Sequence, residues 1–166
     1  MGTDIRVSTF IPASRWRVWD VLRDIGAHVR WMQDAEAIRF TSPQREGVGT
    51  TFECDSRLGP FRLKDKMEVV EWRAGRSMAI RHVGAVSGVG RFTLHFRPRG
   101  TLFVWQEHLR FPWWMGGSVG SALAAPFFRY VWKRNLKNLK ATVETAAGSG
   151  ITRVMHRAAG RRARPR

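Results

Sequence analysis

Cysteine occurs once in the 166 residues, at Cys54, so no disulfide can close within the chain and nothing asks for an oxidising compartment. Acidic residues are few as well. Thirteen Asp and Glu stand against 29 Lys and Arg, a net charge of +16. The uninterrupted apolar run of ~20 residues that a membrane-spanning helix needs is missing. A near approach, FPWWMGGSVGSALAAPFF from Phe111 to Phe128, is uncharged but holds three glycines and two prolines and is bracketed by Arg110 and Arg129. The opening residues MGTDIRVSTF lack the apolar stretch of a secretory signal. Arg6 stands where a myristoylation box wants Ser or Thr. A cytoplasmic protein is the expectation.

Chemical signatures are equally sparse. His28, His82, His95, His108 and His156 show no metal-ligand spacing, and Cys54 has no second cysteine to join it. GVG and GGSVG lack the residues that phosphate-binding loops require, and no nucleophile–base motif is visible. Neither a metal nor a cofactor is expected.

What the chain does have is an ordinary globular composition, 43% hydrophobic and 25% charged, and a length that suits one domain with a core of its own. Its charge is uneven. Residues 129–166 hold eleven basic side chains against Glu144 alone, hence +10 of the +16. An attraction to something anionic is therefore concentrated at the C-terminal end.

Apolar and polar residues alternate in IRVSTFI (Ile5–Ile11), a first strand that Pro12 ends. Ser14 is a candidate N-cap for RWRVWDVLRD, in which Val18, Trp19 and Leu22 form an apolar stripe. Gly26 breaks that helix, and HVRWM makes a second short turn. AIRF (Ala37–Phe40) and TTFEC (Thr50–Cys54) read as short strands. FRLKDKMEVVEW and SMAIRHV flank a turn on Gly75, and GRFTLHF and TLFVWQEHLRF flank RPRG. Period-2 alternation with closely spaced turns means an antiparallel meander. After Pro126 comes a long helix with Phe128, Val131, Trp132, Leu136, Leu139 and Val143 on one arc. Arg129, Lys133, Lys137 and Lys140 occupy the opposite arc. Gly148–Gly150 is read as the helix end, dividing a domain at 1–147 from a basic, disordered tail at 148–166 that lacks the apolar content to fold.

The order strand, two short helices, six strands, long helix, with the words VWDVLRD, RWM, GVGTTF, KMEVVEW, GRFTLHF–TLFVWQEHL and NLKNLKATVE, resembles the START-like helix-grip superfamily (SRPBCC). Within it, the chain is most similar to the bacterial polyketide cyclase/dehydrase and lipid-transport branch. The resemblance implies an α+β fold, a seven-stranded curled antiparallel sheet wrapped around the C-terminal helix. It also implies an apolar cavity between them for a hydrophobic small molecule. Fold alone assigns no reaction.

Strand parity predicts which side chains face such a cavity. On the last strand these are Phe103, Trp105, Glu107, Leu109 and Phe111, and on the strand before it Phe92, Leu94 and Phe96. Met78, Ile80 and His82 follow on SMAIRHV, with Phe61, Leu63, Asp65, Met67 and Val69 on FRLKDKMEV, and Phe52 beside Cys54. The expected lining is therefore Phe52, Leu63, Met67, Met78, Ile80, Phe92, Leu94, Phe103, Trp105 and Leu109, completed by Phe128, Trp132 and Leu136 from the helix. Trp113 and Trp114 are candidates for the mouth, against the plainer reading of one core and one exposed ring.

Three polar residues, Asp65, His82 and Glu107, fall on the inner faces. Either they reach water at strand ends, or they act as general acid and base in a cyclisation or dehydration. Cys54 reads as a small core residue. The arc Arg129, Lys133, Lys137, Lys140 is a solvated face or a dock for anionic membrane. Nucleic acid ranks below lipid, because the chain shows no recognition motif. Binding of a lipid-like or polyketide-like molecule for transfer or sequestration is the leading expectation, with a cyclase/dehydratase as the alternative. The oligomeric state is not encoded in any feature of the sequence.

Overall fold

The computed structural model describes residues 3–58, 61–84, 86–110, 113 and 117–161. Strand β1 (Thr3–Ile11) leads into helix α1 (Arg15–Arg23) and a 3-10 turn (Ile25–Arg30). Strands β2 (Ala35–Phe40), β3 (Thr51–Leu58), β4 (Phe61–Arg73), β5 (Ser77–Val83), β6 (Ser87–Arg97) and β7 (Gly100–Arg110) follow, and helix α2 (Gly117–Arg161) closes the chain. Ser14 caps α1, its hydroxyl accepting from the Arg17 amide, and Asp24 caps the 3-10 turn through the Ala27 amide.

The seven strands form one antiparallel sheet in the order β1-β7-β6-β5-β4-β3-β2. Every neighbour pair is a sequential hairpin except β1 with β7, where Thr3 pairs Leu109 and Ile11 pairs Thr101. Bulges shift the register at Ala35/Ala37 and at Val69/Glu71, which is how a meander bends into a curl. The inner face carries Phe92, Leu94, Phe103, Trp105 and Met78, all buried against the apolar arc of α2, where Phe128, Trp132, Leu136, Leu139 and Val143 are buried. This is the curled sheet around a C-terminal helix that the sequence predicts.

Three expectations need correction. Phe96 has inward parity but is exposed, because its pair with Thr101 lies one rung from the end of the ladder, next to the β6–β7 turn. Parity assigns a face, not cover. Helix α2 begins at Gly117, well before the expected start, and contains Pro126. Proline removes one i→i−4 hydrogen bond but does not forbid a helix around it. The helix also runs through Gly148–Gly150 to Arg161, where an end and a disordered tail are expected. Each glycine costs ~1 kcal/mol relative to alanine, and the Ala- and Arg-rich residues around them favour helix.

Candidate functional site

Between the sheet and α2 lies a cavity of about 110 Å³, measured as the space open to the centre of a water-sized sphere. A single water needs roughly 10–15 Å³ by this measure, so a small ring system can enter. Its wall is mostly apolar, with Phe52, Leu63, Met67, Met78, Ile80, Phe92, Trp105 and Leu109 from the strands and Phe128 and Trp132 from α2. Trp105 stacks on Trp132, with ring centroids 5.1 Å apart, and Trp132 stacks on Phe128 at 5.5 Å. Leu94, Phe103 and Leu136 are buried in the packed core and are not on this wall. Trp113 is 87% exposed, and Phe111 and Trp114 lie outside the described residues.

The polar trio comes together on one side of the wall. His82 Nε2 stands 3.5 Å from Glu107 Oε2, and Trp105 Nε1 donates to Glu107 Oε1 at 2.8 Å. A whole strand separates the partners' backbones, since His82 is on β5 and Glu107 on β7. That strand, β6, is glycine at the place that matters. A Cβ on Gly90 would overlap the Glu107 carboxylate, so the absent side chain is what lets Glu107 lie across β6 toward His82. Gly84 makes the same kind of room for Asp65, whose Oδ1 would stand 2.7 Å from a Cβ there. Asp65 and Glu107 are buried, and Asp65 Oδ1 and Glu107 Oε2 have no hydrogen-bond partner.

Electrostatics follow from this burial. Desolvation raises the Asp65 pKa, opposed by the His82 charge and the Val86 amide. For His82, burial pulls the pKa down, but the facing Glu107 carboxylate and the Asp65 charge win and raise it above its ordinary value. His82 and Asp65 therefore each keep a proton to higher pH than the free side chains do.

Eight wall residues had no signal in the site reading of the sequence, among them Asp34, His28, Met32 and Ile38. Asp34, in the link before β2, lies half-buried beside the cavity and is bound by Asn135 of α2, whose Nδ2 donates to Asp34 Oδ1 at 2.6 Å. Burial raises its pKa, and Asn135 partly offsets this. His28 also faces the cavity, bonded through Nε2 to the Leu22 carbonyl at 2.7 Å. Burial lowers its pKa to about 4, so it is a neutral donor at pH 7. Met32 and Ile38 complete the apolar wall. Cys54 lines the cavity too, but burial pushes its thiol up to about 11, which leaves it protonated and poorly nucleophilic.

On the other side of α2, Arg129, Lys133 and Lys137 are exposed and Lys140 half-buried. Among the described residues no group of three or more His, Cys, Asp and Glu is placed to hold a metal ion. No described helix is long and apolar enough to cross a membrane.

A curled seven-stranded sheet gripping a long helix over an apolar cavity defines the helix-grip class. Residues 2–144 match the family described as polyketide cyclase / dehydrase and lipid transport, and the chain belongs to that family. Solved structures agree on the fold. The Thermus thermophilus protein TTHA0849 superposes with a TM-score of 0.73 at 18% identity, covering 87% of this chain and 99% of its own. The Zhui aromatase/cyclase from Streptomyces sp. R1128 gives 0.67 at 16% identity, covering 87% and 94%. The di-domain ARO/CYC StfQ of the steffimycin biosynthetic pathway gives 0.73 at 12%, covering 89% of this chain and 52% of its own. No curated protein sequence matches the chain significantly.

Proposed function

We propose that the chain binds a lipid-like or polyketide-like hydrophobic molecule in the cavity between sheet and α2, its oxygen functions turned toward His82, Glu107 and Asp65. The observation that supports this is an apolar wall in which one buried carboxyl oxygen, Asp65 Oδ1, has no hydrogen-bond partner and another, Glu107 Oε2, meets only His82 at 3.5 Å. A buried polar atom without a partner costs ~1–3 kcal/mol, which a ligand hydroxyl, or a carbonyl meeting a protonated acid, would recover. The test is organic extraction with mass spectrometry, joined to titration of a neutral environment-sensitive dye such as Nile red. An apolar ligand or saturable dye uptake is expected, with Ile80→Phe weakening uptake at least tenfold. An empty extract, together with equal dye uptake by wild type and I80F, would overturn the reading.

A second reading is favoured by the convergence of the same three side chains. An intramolecular aldol condensation needs a base to take the proton next to one carbonyl. It also needs an acid to protonate the oxygen that finally leaves as water. His82 with Glu107, and Asp65 with its raised pKa, offer both roles within one apolar chamber. Under this reading Asp65→Asn, His82→Gln and Glu107→Gln keep ligand uptake and lose turnover of a poly-β-ketone. Under transfer or sequestration alone, they alter affinity and nothing else.

A further inference from the structure

The end of the sheet remote from the polar cluster is built from three short connections. Arg97 pairs Gly100, Arg73 pairs Ser77, and Ile11 pairs Thr101, so the β4–β5 turn, the β6–β7 turn and the β1–α1 junction share this end. They are locked together. Thr101 Oγ1 donates to the Ala13 carbonyl at 2.8 Å, the Leu94 amide donates to the Arg76 carbonyl at 2.7 Å, and the Trp16 ring lies over Gly75.

Each connection brings two arginines: Arg15 and Arg17, Arg73 and Arg76, Arg97 and Arg99. Arg15 is half-buried and the other five are exposed. None of the six forms an ion pair with a carboxylate among the described residues; Arg23, Arg39, Arg57, Arg81 and Arg91 do, and Arg6, Arg30, Arg45, Arg62, Arg110, Arg129 and Arg134, spread over the rest of the molecule, do not. Glu71, the last carboxylate before the β4–β5 turn, is already taken by Arg91 at 2.8 Å and by Ser77. The same end exposes three large rings, Phe10 at 41%, Trp16 at 60% and Phe96 at 67%. Six arginines without a carboxylate ion pair, Arg97 bonded only to the Phe96 carbonyl, gathered beside unburied aromatic rings match a surface that is itself part anion and part hydrocarbon.

We propose that this end of the molecule docks on an anionic lipid bilayer. Its arginines would meet lipid phosphates and carboxylates, and Phe10, Trp16 and Phe96 would lie at headgroup depth. The shape favours lipid over nucleic acid. The rings stand on three separate elements, Phe10 on β1, Trp16 on α1 and Phe96 on β6, and not on one sheet face where successive bases could stack. Two further clefts of the molecule lie elsewhere, one beside Gly26 and Phe40 and one beside Asp4 and Gln106. Docked this way, the protein turns the His82–Glu107 end of its cavity away from the bilayer. This inference is independent of what the cavity binds.

The test is co-sedimentation of the full chain with vesicles of phosphatidylcholine alone and with added phosphatidylserine. Binding is expected only with the anionic lipid. R73Q/R76Q/R97Q/R99Q should weaken it by about fivefold per arginine, while R129Q/K133Q/K137Q/K140Q, which removes the same charge from α2, should leave most of it. Vesicles with brominated acyl chains should quench wild-type fluorescence more than that of the conservative variant Trp16→Phe, with matched thermal melts showing that both fold. Equal losses in the two charge variants would overturn the proposal, as would quenching indifferent to Trp16. So would turn-arginine-dependent binding to a single-stranded oligonucleotide in place of vesicles.

Discussion

At the scale of single residues, the polar wall depends on a side chain that is not there. Gly90 on β6 leaves the gap through which Glu107 of β7 reaches His82 of β5. Gly90→Ala is expected to push the carboxylate off Trp105 Nε1 and away from His82, at a cost of roughly 1–3 kcal/mol for the added bulk. With the carboxylate displaced, burial dominates at His82, so its imidazole pKa should fall relative to wild type. Histidine NMR titration reads this directly, and an unchanged His82 titration would refute the role given to Gly90. Asp65, His82 and Glu107 were legible in the sequence because period-2 alternation tells which face a strand residue occupies. Gly90 was not, since a glycine's meaning here comes from a carboxylate on the neighbouring strand.

At the scale of elements, α2 is held to the segment before β2 by amide side chains as well as by apolar packing. Asn135 is fully buried, donating to Asp34 and accepting from the Gln33 amide at 2.9 Å, while Asn138 donates to the Trp31 carbonyl at 3.2 Å. Asn135→Ala takes one hydrogen bond from the half-buried Asp34 carboxyl and one from the Gln33 amide, and about 1–3 kcal/mol of destabilisation is expected. Asn138→Ala breaks one bond and should cost ~1 kcal/mol. Urea denaturation of the two variants checks the difference. These partners lie 101 and 107 residues apart in the chain, which is why Asp34 escaped the sequence reading: no local periodicity marks a loop aspartate whose partner is on a distant helix. Leu94, Phe103 and Leu136 escaped differently. Parity placed them inside correctly, but it does not say how far along the strands the cavity extends. The early start of α2 at Gly117 was hidden by glycines and Pro126, which read as loop.

At the scale of the whole molecule, acid should loosen the fold through His28. Its folded pKa is about 4 against 6.5 in the unfolded chain, so between those values the unfolded state binds the extra proton. Stability from this group is complete above pH 6.5 and is lost as pH falls toward 4, about 3 kcal/mol over the interval. Asp34 and Asp65 act in the opposite sense. Their raised pKa values make the folded state the better proton acceptor from pH 3.8 upward, so their contribution is present in acid and fades as pH rises. His28→Gln should remove the downward slope between pH 6.5 and 4 while lowering stability at pH 7. Denaturation midpoints measured across that range decide the matter, and an unaltered slope would exclude His28 as its source.

The pairing of β1 with β7 sets a timetable for synthesis. Strands β2 to β6 join only neighbours in sequence and can pair as they leave the ribosome, but Thr3 must wait for Leu109 and Ile11 for Thr101. At roughly 5–20 residues per second, β1 spends several seconds without its partner strand. Helix α2, whose Phe128, Trp132 and Leu136 fill the inner face, arrives later still. The nascent chain therefore passes through a stage in which a half-built sheet shows both an open edge and an uncovered apolar face, and the finished domain is reached only when its last element closes over the first.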